Sequence, residues 1–125
     1  MTLFAQLAAL LAIVSTGIVY GTDAFCALVL RSALARVDDT TLAATMGNVH
    51  RFGDRRMPVP GILGIISAAA ASVLAAVAGH LAESATAGAA SLLLVVWVLL
   101  YLRISAPINR RLTAAADAHE TPANA

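Results

Sequence analysis

The sequence predicts an all-α transmembrane helical bundle with three spans and one short amphipathic helix on the cytoplasmic side. The chain of 125 residues is 60% hydrophobic and 12% charged, whereas a soluble domain carries about 25% charged residues. Its uncharged segments reach the length of about 20 residues that a helix needs to cross a bilayer. All eight basic residues are arginines. They fall in two regions of the chain, a bias typical of cytoplasmic segments.

The first span is predicted at about residues 3–28, since Met1 to Thr22 contains no charged side chain. This apolar run is longer than the core of a signal peptide, so we interpret it as a retained helix. Gly17 and Gly21 lie four residues apart, a spacing that lets neighbouring helices approach closely in lipid. These two glycines are therefore assigned to helix packing.

The hydrophilic connection that follows is predicted to contain the amphipathic helix, from about residue 40 to residue 55. Leu42, Met46 and Val49 recur in it at helical spacing. Acids precede the segment, arginines end it, and Pro58 stops it.

The second span, at about residues 60–81, is predicted to be the central helix, because small residues recur along it every four positions. Such rows let another backbone come close in lipid. One row consists of Gly64, Ala68, Ser72 and Ala76, and its neighbour of Ser67, Ala71, Ala75 and Gly79. A three-helix unit is expected to bury only one row, so the other predicts a homo-oligomer or a partner helix.

A turn at Ala82–Thr86 is predicted to lead into the third span, at about residues 87–106. Pro107 then begins a polar tail, residues 107–125, which is expected to be helical only in part. The whole chain, residues 1–125, is expected to form a single membrane domain in contact with the lipid bilayer.

The arginines predict a multi-pass protein of the cell membrane, with its N-terminus outside and its C-terminus in the cytoplasm. They occupy the first connection and the C-terminal flank, at Arg31, Arg36, Arg51, Arg55, Arg56, Arg103, Arg110 and Arg111. A net charge of +1 provides no basic surface for nucleic acid. With a single cysteine, Cys26, and no paired histidine motif, no metal and no cofactor are expected.

Asp23 is the most informative candidate for chemistry, because an acid in an apolar helix normally faces protein or water. Thr16, Tyr20 and Asp23 share one helical face. They predict either a polar pocket for a ligand or proton, or an acid that reaches water at the membrane interface. Arg103 ends the third span on the same side and is predicted to pair with Asp23; the alternative is an arginine that reaches the lipid headgroups.

Two further candidates also have two interpretations each. Trp97, one turn before Tyr101, forms either an aromatic wall for a flat substrate or bundle packing near the membrane interface. His50, with Asp54 one turn later, is either an oriented general base or part of a solvated helix face.

The chain resembles a family of small multi-pass membrane proteins that includes fungal anthrone oxygenases. The matching segments are Gly17-x-x-x-Gly21, Leu34-Ala-Arg-Val-Asp38-Asp39 followed by Met46, Pro58-x-Pro60-Gly61, and Ala106-Pro107-Ile108-Asn109-Arg-Arg-Leu112. The resemblance implies a four-helix membrane bundle and, for a few members, oxygenation of anthrone-type aromatics without metal or flavin. This chain ends in polar residues where the family continues into a fourth hydrophobic helix. A shortened bundle, or a partner that supplies the helix, is therefore implied.

Three functional hypotheses result. A cofactor-free oxygenase of a small lipophilic substrate would need a base in a dry cavity, with Asp23 or His50 as candidates, to form a carbanion that reduces O₂. A non-catalytic membrane subunit or assembly protein would need only the small-residue faces. A transporter is the weakest hypothesis, since one intramembrane acid and no internal repeat are present.

Overall fold

The computed structural model of the chain describes residues 2–124, with side chains up to residue 118. Met1 and Ala125, the ends of the predicted domain, lie outside the described residues. The described part is helical and contains no strand. Its helices are α1 at Leu3–Phe25, α2 at Arg31–Leu34, α3 at Asp39–Arg56, α4 at Pro58–Val77, α5 at Leu81–Leu100 and α6 at Ala106–Asn124.

Three helical stretches are long and apolar enough to cross a membrane: Leu3–Leu34, Asp39–Val77 and Leu81–Ala118. The prediction of three long apolar helices is confirmed. The prediction that the tail is only partly helical is wrong, since α6 continues to Asn124. Pro107 lies within the continuous stretch Leu81–Ala118 and does not interrupt it.

Two π-helical segments interrupt the long helices, at Cys26–Leu30 and at Tyr101–Ser105. The Arg31 N–H bonds to the carbonyl of Cys26, and the Ala106 N–H bonds to the carbonyl of Tyr101, each five residues back. Because a π turn is wider than an α turn, side chains after it lie on a different face from the one that regular α spacing predicts.

The chain divides into two compact units. The first unit consists of Met1–Tyr20 and Pro58–Leu99, and the second of Gly21–Met57 and Leu100–Ala125.

Helix α4 is the central helix of the first unit, as its small residues predict. Both of its small-residue rows contribute buried positions, namely Gly64 and Ala68 from one row and Ser67, Ala71 and Ala75 from the other. The expectation that one row stays free is wrong, because each row has buried members; each row also ends in an exposed residue, Ala76 or Gly79. The Ser72 hydroxyl donates to the carbonyl of Ser84 in α5, at 2.8 Å. Oligomerisation itself stays a prediction.

The turn between α4 and α5 lies at Gly79, earlier than the predicted Ala82–Thr86. Gly79 has φ +82°, a conformation that costs about 1–2 kcal/mol for a residue with a Cβ. The Gly79 N–H bonds to the carbonyl of Ala76 and the His80 N–H to that of Ala75, the pair of bonds that ends a helix in a Schellman motif. Gly79 therefore ends α4 instead of extending the packing row.

In the second unit, Asp38 begins α3 as its N-cap. Its carboxylate accepts hydrogen bonds from the Thr41 N–H at 2.9 Å and from the Thr41 hydroxyl at 2.8 Å. These bonds hold the pKa of Asp38 below its usual range. The side chain is thus charged at neutral pH, which favours the N-terminus of a helix.

Helix α3 covers the region of the predicted amphipathic helix, but it does not pack through the predicted stripe. Leu42 and Val49 are each 36% exposed. Gly47 is instead buried against α6, where Leu112 and Ala116 come so close that they occupy the space a side chain would need. The packing face is therefore set by the close approach that glycine permits, and not by the spacing of the large apolar residues.

Candidate functional site

A half-open cavity of about 660 Å³ lies between α1, α4 and α5 within the first unit. Most of its wall is formed by alanines, and we call it the alanine groove. Its lining residues are Gln6, Ala9, Ala12, Ile13, Ala68, Ala71, Ala75, Ala82, Glu83, Thr86, Ala87 and Ala90. A space of this volume lies within the range of about 300–1,000 Å³ found for small-molecule sites.

The groove exists because three helices face one another with side chains too short to fill the space between them. On α4 the buried alanines Ala68, Ala71 and Ala75 form its floor. Nearer the start of the same helix there is no such space, because Thr16 of α1 packs directly on Gly64. A Cβ built on Gly64 would lie 3.1 Å from the Thr16 hydroxyl oxygen. The small residues of α4 therefore have two effects. At Gly64 they allow α1 to pack closely, and beside the alanines they leave an unfilled space.

Three polar side chains line the groove, namely Gln6, Glu83 and Thr86. The Thr86 hydroxyl donates to the carbonyl of Ala82 at 2.9 Å, so this donor is already hydrogen-bonded within α5. Glu83 lies in the first turn of α5, where the helix dipole favours an acid. Its carboxylate lies 3.4 Å from Nδ1 of His80, and both side chains are about half exposed. The groove can therefore offer a carboxylate and an amide to a bound molecule.

The residues predicted to form a polar pocket on α1 do not line this groove. Thr16 is a packing residue, as described above, while Tyr20 is 75% exposed and Asp23 is also exposed. Gly17 and Gly21 are exposed as well, and a Cβ added to either would meet no atom within 4 Å. Within this chain α1 packs through the neighbouring Ser15–Thr16 face instead, and packing of Gly17 and Gly21 against a partner helix stays a prediction.

The predicted ion pair between Asp23 and Arg103 is not formed. Both side chains are exposed, and among the described residues the ion pairs are Arg51–Asp117 and His80–Glu83. The prediction rested on similar depth along two helices, which does not determine the direction in which a side chain points. Arg103 also lies within the π segment at Tyr101–Ser105, where regular α spacing no longer applies.

Trp97 of α5 packs against α4 in the first unit. A Cβ added to Gly61 would lie 3.5 Å from the Trp97 ring, so the indole covers the backbone at that glycine. Trp97 is not among the lining residues of the alanine groove. Of its two interpretations, the structure supports packing.

Asp54 is the centre of a polar cluster in the second unit, which also contains Tyr101 and Asn109. The same carboxylate oxygen accepts hydrogen bonds from the Tyr101 hydroxyl and from the Asn109 amide, the latter at 3.2 Å. Asn109 is only 7% exposed. His50 is half-buried and does not hydrogen-bond to Asp54 in the described structure. The predicted His50–Asp54 pair is thus replaced by a Tyr–Asp–Asn cluster.

This cluster is one of several contacts that hold α3 against α6. Arg51 forms an ion pair with Asp117, and the Thr113 hydroxyl donates to the carbonyl of Gly47 at 3.2 Å. Because each donor here has a protein acceptor, the arrangement is typical of a structural polar network. Within the described residues, no three His, Cys, Asp or Glu side chains converge on one point.

Sequence reasoning missed the alanine groove and the role of Asp54. Two signals were available. Glu83 closely follows the helix-ending Gly79, as an acid in the first turn of a new helix does. Asn109 follows a proline at the end of an apolar span, a position where a buried amide needs a partner from another helix.

Comparison with family models, with curated proteins and with solved structures finds no match to this chain. The resemblance to anthrone oxygenases therefore stays a prediction.

Proposed function

We propose that this chain is an integral membrane protein that binds a small lipophilic molecule in the alanine groove. The observation that carries the proposal is the groove itself, a space of about 660 Å³ walled by eight alanines and Ile13, with three polar groups. Small-molecule sites commonly combine an apolar wall with a few polar groups that orient the ligand. The groove lies among helices apolar enough to cross a bilayer, so a lipophilic molecule dissolved in lipid has access to it.

Binding is tested with N-phenyl-1-naphthylamine, a neutral lipophilic dye whose fluorescence rises in apolar surroundings. The protein is placed in lipid nanodiscs, and the signal of empty nanodiscs is subtracted. We expect saturable binding to the wild type. In Ala90→Phe the affinity should fall about tenfold or more, because the ring occupies the groove and removes at least about 1.4 kcal/mol of ligand contact.

Ala89→Phe is the matched control. Ala89 and Ala90 are adjacent, exposed alanines of α5, but only Ala90 lines the groove. Ala89→Phe should therefore bind the dye as the wild type does. Equal affinity in the wild type and both variants would contradict the proposal.

The orientation proposed is N-terminus outside and C-terminus in the cytoplasm, supported by the arginines of the first connection and the C-terminal flank. A reporter enzyme fused after Ala125 should be active only if it works in the cytoplasm. A reporter that requires export, fused at the same position, should be inactive. If it is active, the proposed orientation or the number of spans is wrong.

A second candidate is the cofactor-free oxygenation implied by the resemblance. The observation that favours it is a carboxylate, Glu83, in a groove suited to a lipophilic aromatic; the predicted bases Asp23 and His50 are not among the lining residues. The reaction would convert an anthrone and O₂ into the anthraquinone and water. Quinone formation by the wild type and not by Ala90→Phe, measured by mass spectrometry, would support it. Saturable anthrone binding without conversion would support a non-catalytic binding protein.

A further inference from the structure

The charged residues of this chain are distributed very unevenly. Fifteen side chains are charged, eight arginines and seven acids. Glu83 is the only one of them in the first unit, which comprises Met1–Tyr20 and Pro58–Leu99. The same residue lines the alanine groove. The single charged side chain of the first unit is therefore an acidic one, and it lies at the alanine groove.

Glu83 provides the charge that a molecule in the groove meets, because the other lining residues are uncharged. Its side chain is about half exposed. No arginine lies in the first unit to neutralise the charge. The neighbour of Glu83 is His80, at 3.4 Å in an exposed pair. Exposed pairs of this kind are weak, so His80 is easily replaced by a cation in the groove.

We infer that the alanine groove is selective for lipophilic organic cations, with Glu83 as the counter-ion. The inference rests on the proposed function and specifies its ligand class. A delocalised or amine cation with an apolar body of drug size satisfies both features of the groove: its body contacts the alanines, and its charge pairs with the carboxylate. A lipophilic anion of the same shape meets repulsion instead, and a neutral molecule gains no charge–charge attraction from Glu83.

Tetraphenylphosphonium and tetraphenylborate test this directly, because they have nearly the same shape and opposite charge. Binding of each radiolabelled ion is measured by equilibrium dialysis against nanodiscs, with empty nanodiscs subtracted. The wild type should bind the phosphonium saturably and the borate much more weakly. Glu83→Gln should lower the phosphonium affinity about fivefold, equivalent to about 1 kcal/mol, and should raise the borate affinity.

Two controls separate this inference from the proposed function. Asp39→Asn removes an acid of the second unit that does not line the groove, and it should leave phosphonium binding unchanged. N-phenyl-1-naphthylamine should bind Glu83→Gln as tightly as the wild type, because the dye is neutral. If the dye binds in the groove but phosphonium affinity is the same in the wild type and Glu83→Gln, cation selectivity is overturned and the proposed function stands. If Ala90→Phe weakens the binding of none of the three probes, both the cation selectivity and the proposed function are overturned.

Discussion

Replacing Gly47 with alanine should lower the free energy of unfolding by about 3 kcal/mol, one of the two largest effects expected in this chain. The new Cβ would lie 2.7 Å from the carbonyl oxygen of Leu112 and still closer to Cβ of Ala116. Neither atom is the end of a flexible side chain, so α3 and α6 must move apart. Overpacking of this kind costs about 1–3 kcal/mol, and loss of the neighbouring bonds adds to it.

Gly53→Ala is the matched control on the same helix. A Cβ at Gly53 would meet nothing within 4 Å, so this change should stabilise α3 by up to about 1 kcal/mol through helix propensity alone. Unfolding of both variants in mixed micelles, followed by circular dichroism, makes the comparison. Equal stability changes for Gly47→Ala and Gly53→Ala would show that α6 does not pack on Gly47.

Removing the carboxylate of Asp54 should produce the second large effect. In Asp54→Ala, the Tyr101 hydroxyl and the Asn109 amide both lose their acceptor. Asn109 is buried, and a hydrogen bond lost at a buried polar group costs about 1–3 kcal/mol. We expect a loss of about 2 kcal/mol in the same unfolding assay, whereas Asp39→Ala, which removes an exposed acid from the same helix, should change stability little.

A double-mutant cycle identifies the contact responsible. Tyr101→Phe alone should destabilise the protein, but it should do so much less in the Asp54→Ala background, because the hydrogen bond is already absent. Residues in one network typically show coupling of about 0.5–3 kcal/mol. Additive losses would contradict a direct interaction between Tyr101 and Asp54.

The sequence was sufficient to predict the parts of the fold that depend on hydropathy. Uncharged runs predicted three long apolar helices, and the small residues of α4 correctly placed it at the centre of its unit. Helix ends were harder to locate. Gly79 continued a four-residue pattern that suggested packing, and only its backbone conformation shows that it ends α4. The π segment at Tyr101–Ser105 changes the helix face on which later side chains lie, and the apolar pattern of this span does not indicate it.

Candidate site residues were harder to predict, because their partners come from distant parts of the chain. Asp54 was paired with His50 on the basis of helical spacing, but a carboxylate on a packed face bonds to the donors that α6 and the preceding π segment bring to it. The alanine groove is a space left between helices. Such a space depends on the distance between helix axes, and no single residue of Ala68, Ala71 or Ala75 indicates it.

Photolabelling tests the central claim, that a lipophilic molecule occupies the alanine groove, most directly. The protein in nanodiscs is irradiated with a small neutral phenyldiazirine, with and without saturating N-phenyl-1-naphthylamine, and labelled residues are identified by mass spectrometry. Labels suppressed by the dye should lie on the lining residues of α1 and α5. These are Gln6, Ala9, Ala12, Ile13, Ala82, Glu83, Thr86, Ala87 and Ala90. Labels on exposed residues such as Leu92 and Leu93 of α5 should persist, because they report contact with lipid. If the dye suppresses no label, or suppresses labels only outside the groove, the proposed site is wrong.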